Sequence, residues 1–162
     1  MNSISYKKIS GKDNYQLKED NEKVLEIIYN AEMHIARVEA NNERRALIIE
    51  NEGLLRIKIV VKNEYGVRIG SLTYDNFSDT HGSVEIEDSR FRFIIQNEPR
   101  PELYIYKGSR HNLIYNCQLV FDNISSRIKG SQTASLIIAV SWYLFLKDAV
   151  RLVPSFNEAI IL

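Results

Sequence analysis

The sequence is poor in the residues that staple a chain or fix it to a polyanion. Cys117 is the only cysteine among 162 residues. No intramolecular disulfide can form and no multi-thiolate metal site can be assembled. Charge of either sign is not in excess, because 21 basic and 21 acidic side chains cancel. A protein that grips nucleic acid through its phosphates needs a basic surplus, so nucleic acid is not an expected partner. The segment Met1–Lys8 carries no apolar run of signal-peptide length, which makes the cytoplasm the expected compartment. There is no phosphate-cradling glycine loop, no Gly-x-Ser-x-Gly elbow and no His-Glu-x-x-His. His34, His81 and His111 fall in separate segments without ligand spacing, so no metal or cofactor is expected and no residue stands out as catalytic.

What is present is the material of a packed domain. Apolar residues make up 44% and charged residues 26%, an ordinary globular balance. No repeat, low-complexity tract or linker divides the chain, so residues 1–162 are expected to form one domain. Turn clusters recur about every ten positions over the first 125 residues, as in consecutive antiparallel strands. Between them, apolar and polar residues alternate. Phe91, Phe93 and Ile95 oppose Arg90 and Arg92; Val84 and Ile86 oppose Glu85 and Glu87; Leu55, Ile57 and Ile59 oppose Arg56 and Lys58. A period of two marks a sheet with one packed and one wet face. The phase breaks between Ile69 and Leu72, which predicts a bulge at Gly70. Eleven strands are expected, centred near residues 6, 16, 26, 36, 47, 58, 70, 84, 93, 104 and 117. The run 31–39 would also suit a short helix.

After Asn123 the pattern changes. From Ser131 to Leu146 the chain carries no charge, and Pro154 marks a stop. A helix over 131–151 has no polar stripe, so it is either a buried core helix or a membrane span. Sixteen uncharged residues reach about 24 Å, short of the roughly 30 Å hydrocarbon core of a bilayer. The buried reading is preferred, with a tail anchor through 131–151 as its alternative. A flat sheet covers one face of a helix, whereas a sheet closed into a barrel covers all of them and removes its own edges.

Many short strands followed by an all-apolar C-terminal helix resemble the tubby-like barrel superfamily, which includes tubby C-terminal domains, LURP-one-related proteins and phospholipid scramblases. The passages Asn63–Tyr74, Gly82–Asp88 and Leu103–Tyr106 carry that family's hairpin texture of a glycine turn followed by alternating apolars. The resemblance implies a closed antiparallel barrel of about 11–12 strands around the buried helix. It further implies a non-enzymatic module that associates with anionic membrane lipid or a protein partner, peripheral at a membrane.

Two basic pairs suit such a ligand. Arg56 with Lys58, and Arg90 with Arg92, each stand two apart on a strand and project from one face, where they could clasp an anionic head group. Pairing with nearby glutamates is the plainer role for them. Cys117, in phase with Tyr115 and Leu119, is expected to be a core thiol. Glu19-Asp20 and Glu43-Arg44-Arg45 look like turn charges. An enzyme or small-ligand binder would need a pocket at a barrel mouth. Tyr104 and Tyr106 share a face that alternation alone cannot assign to the inside or the outside.

Overall fold

The computed structural model describes residues 1–53, 58–75, 78, 80–109, 111–121 and 131–152, the helix side chains over 133–148. Eleven strands follow one another: β1 (Ser3–Ile9), β2 (Lys12–Glu19), β3 (Glu22–Asn30), β4 (Ile35–Ala40), β5 (Glu43–Glu52), β6 (Lys58–Lys62), β7 (Arg68–Tyr74), β8 (His81–Ile86), β9 (Ser89–Gln96), β10 (Glu102–Lys107) and β11 (Leu113–Phe121). Each pairs with the next, and β1 pairs with β11, so the sheet closes into a barrel. Helix α1 (Ser131–Leu152) follows. The expected strand centres all fall within these elements. The ambiguous run resolves as a turn over 31–34 leading into β4.

One pairing departs from the all-antiparallel expectation. Successive strands of a meander reverse direction, so with an odd number the first and last run the same way. Ser3 to Tyr6 accordingly pair with Gln118 to Phe121 in parallel, while every other neighbouring pair is antiparallel. The seam is a matter of parity.

Alternation decides what faces inward. Leu25, Ile27 and Tyr29 on β3, Phe91, Phe93 and Ile95 on β9, and Leu103 and Ile105 on β10 are all buried. Tyr104 and Tyr106 therefore lie on the outer face. Every residue of α1 from Thr133 to Leu144 is buried, and Leu136 and Ile138, on opposite sides of the helix, are 1% and 0% exposed. The helix is the core of the barrel. A helix apolar all round has no other soluble solution than enclosure. It runs closest to β8, β3 and β4, where the inward residues Gly82, Ala36 and Ala40 are small and let the backbones approach. Tyr15, Leu17, Leu103 and Ile105 fill the wider gap elsewhere.

The helix starts at one end of the barrel, here called proximal, and ends at the other, the distal mouth. The distal mouth is rimmed by the turns after β2, β4, β6, β8 and β10. Three register shifts break the ladder, and all lie toward that mouth. They leave Val24 unpaired opposite β2, Ile69 opposite β6 and Ile114 opposite β10. Each extra residue is apolar and packs against the core, so the bulges turn additional side chains in around the end of the helix. The bulge expected near Gly70 is the second of these. A Cβ on Gly70 would lie 2.1 Å from the Glu85 carbonyl oxygen, so β7 and β8 can meet there only around glycine.

Among the described residues no helix is long and apolar enough to cross a membrane. The segment that raised the tail-anchor alternative is the one enclosed by the barrel.

Candidate functional site

With the lumen filled, the open space among the described residues lies on the outer wall and at one mouth. The sequence-derived basic residues lie on the wall. Arg56 is outside the described residues. Register places Lys58 opposite Thr73, Thr73 opposite Ser83, and Ser83 opposite Arg92. Lys58 and Arg92 thus end one outward row, about 14 Å apart across three inter-strand spacings, with two hydroxyls between them. Each cation already has a carboxylate: Lys58 lies 3.8 Å from Glu52, and Arg92 donates to Asp75. Arg90 stands on the neighbouring row opposite Glu85 and has no ion pair among the described residues. The wall therefore brings three of the four basic residues into one region and partly neutralises it.

A second open region lies on the wall of β3–β5, a groove of about 530 Å³ lined by Ile28, Arg37, Ala46 and Arg44 with Glu26 and Glu39. Its charges alternate in sign, and Arg44 is paired with Glu39 at 3.3 Å. Ile28 in its lining is 36% exposed.

At the distal mouth the helix end meets the hairpin turns. Here Glu19 and the Glu43–Arg45 run, which resembled turn charges in the sequence, take on structural parts. Glu43, Arg44 and Arg45 are the first residues of β5. Glu19, the last residue of β2, accepts from Lys147 at 3.2 Å and from the Tyr143 hydroxyl at 3.3 Å. Lys147 also lies 5.2 Å from the centre of the Tyr143 ring, and Lys107 is paired with Asp148. Beside this clasp opens a cavity of about 210 Å³, lined by Trp142, Phe145, Leu146, Leu47 and Ile69 below and by Glu43, Arg45, Asn63, Glu64 and Glu87 above. Arg45 is paired with Glu64 at 3.2 Å. Apart from Glu43 and Arg45, read in the sequence as turn charges, no lining residue was expected at a site. The available signal was that Trp142, Phe145 and Leu146 occupy the last apolar turns of the helix, where enclosure must end.

The proximal end is built differently. Asp13 is 5% exposed and accepts a 2.7 Å hydrogen bond from the Tyr6 hydroxyl. The Tyr6 ring packs on Tyr15 and Phe121, with centroids 5.1 and 6.0 Å apart. Burial, then the hydrogen bond and charge of Asp13, push the Tyr6 hydroxyl up to about 12. Burial and the same carboxylate push Tyr15 higher still, although a hydrogen bond with Ser135 of the helix works the other way. This sequence does disclose Asp13 in one respect: it is in phase with Tyr15 and Leu17, on the inward face.

Cys117 is a core thiol. It is 2% exposed, and burial, with the charge of Glu102, pushes it up to about 12. His34 and His111 are exposed turn residues, and His81 shares a 2.9 Å hydrogen bond with the Ser78 hydroxyl. No group of three or more metal-ligating side chains clusters among the described residues. No protein-family model, no curated protein and no solved structure matches the chain.

Proposed function

We propose that this chain is a tubby-like barrel acting as a non-enzymatic binding module, whose outer wall receives the anionic head groups of membrane lipids at the cytoplasmic surface. The observation that carries this reading is the outward row Lys58-Thr73-Ser83-Arg92. Two cations flank two hydroxyls on a rigid sheet, a set of donors that suits phosphate oxygens. The filled lumen supports it indirectly, since a helix-plugged barrel has no interior left for a ligand of any size. Glu52 and Asp75 hold the two cations in place when no anion is present, and a phosphate competes with them. Arg90 adds positive charge from the next row.

Co-sedimentation with liposomes at low salt tests this. Vesicles containing a phosphoinositide or phosphatidylserine should retain the protein, and phosphatidylcholine vesicles should not. The double variant K58A/R92A should lose most of that retention while melting at the same temperature. Equal recovery on both vesicle types, or full retention of the double variant, would overturn the proposal.

A further inference from the structure

We infer that the distal mouth is a binding site for a small organic cation, an ammonium carried on a compact apolar body. The place and the charge preference differ from those of the outer wall, so the inference does not rest on that proposal. It starts from the end of the enclosed helix. Every residue from Thr133 to Leu144 is hidden by the barrel, but Phe145 and Leu146 are only half-buried, and Trp142 keeps 6% of its surface. The remaining surface of these side chains forms the floor of the 210 Å³ cavity, with Leu47 and Ile69 completing it. Ile69 reaches the site because it is the unpaired residue of the β7 bulge. The floor is thus a preformed apolar and aromatic cup, set by the barrel and by the register shift.

The rim gives the cup its sign. Three carboxylates, Glu43, Glu64 and Glu87, face one cation, Arg45. Arg45 is taken by Glu64, and among the described residues neither Glu43 nor Glu87 has an ion-pair partner. Glu87 is held at its position by a positive φ of 52° in the β8–β9 turn and by its N–H donating to the Ile69 carbonyl at 2.8 Å. Two carboxylates without an ion pair among the described residues, above a lining of Trp142 and Phe145, are the chemistry that recognises an ammonium: aromatic surface attracts a poorly hydrated cation while the carboxylates supply the counter-charge. An anion would meet the uncompensated pair, and a neutral apolar molecule would leave the carboxylates unanswered. The cavity is smaller than the roughly 300 Å³ at which drug-sized pockets begin, so one head group fills it.

Trp142 is the only tryptophan in the chain, so its fluorescence reports this site alone. Choline chloride, titrated into the intact protein at constant ionic strength, should change that fluorescence saturably. Its uncharged tert-butyl isostere should not. The variants E43Q and E87Q should each weaken the response about two- to fivefold, the scale of one exposed charge contact, and F145L should weaken it while leaving the melting temperature in place. A water-soluble short-chain phosphatidylcholine, used below its micelle concentration, forms a second arm: competition with free choline shows that the cation can be taken as a lipid head group, and a response to free choline alone shows a soluble ligand. No saturable change, an equal response to the isostere, or undiminished binding in E43Q and E87Q would overturn the inference.

Discussion

The two ends of this barrel hold the same helix by opposite means. At the proximal end the ladder is regular and the polar groups are sunk into the core: Asp13 under the Tyr6 hydroxyl, Tyr15 against Ser135. At the distal end the ladder is broken by three bulges, and the polar groups form ion pairs at the rim, Lys147 with Glu19 and Lys107 with Asp148. Buried hydrogen bonds are costly to leave half-made, because the abandoned partner stays desolvated. Rim ion pairs are worth little and are screened by salt. The proximal end therefore fixes the helix, and the distal end can spare side chains and space for a ligand.

Removing what both ends hold should have the largest effect. A chain ending before Ser131 loses the plug and exposes the inward face of every strand. It should show no cooperative thermal transition by circular dichroism, and a well-folded, more soluble product would refute the helix as core.

Alkaline pH should act next, and on the buried polar groups. Tyr6 and Cys117 both have folded values raised to about 12. The fold favours their neutral forms, so their contribution is fully present below the ordinary values of 10 and 9 and is lost as pH climbs through about 12. For Cys117 alone the slope is at most about 1.4 kcal/mol per pH unit in that window. Urea midpoints measured from pH 8 to 12 check the direction. A flat profile would mean that these groups are wetter than the structure shows.

Asp13→Ala sharpens the comparison at one position. It strands the Tyr6 hydroxyl and should cost about 1–3 kcal/mol in urea unfolding, with little dependence on salt. Lys147→Met at the other end should cost no more than about 1 kcal/mol, and the difference from wild type should shrink at high salt. If Lys147→Met cost more than Asp13→Ala, the assignment of roles to the two ends would be reversed.

Most of the wall was legible in the sequence because alternation is local. Each strand announces its phase in five to ten residues, as Phe91, Phe93 and Ile95 do, and an uninterrupted apolar helix demands enclosure. What a sequence hides is register. That Lys58 and Arg92 share a row depends on three successive pairings, and that Asp75 and Glu52 reach them depends on turns between those strands. The distal cavity is further out of reach, because it joins Leu47 and Ile69 of two strands, Glu87 of a turn and Trp142 of the helix. Even the bulge near Gly70 was visible only as a broken phase. Which residue it would release inward was not, since that depends on where β6 ends.

The parallel seam also has a kinetic meaning. Its two strands are the first and last of the sheet, so the barrel cannot close until Phe121 has left the ribosome, and the helix emerges later still. Until then the nascent chain is an open sheet with two unpaired edges and an uncovered apolar face, the state most open to misassociation. Closure must bring together residues more than a hundred positions apart, the slowest kind of contact to form. Closure and plugging thus come only after the whole wall is made, and a pause between Phe121 and the end of the helix should prolong that exposed state more than a pause earlier in the wall.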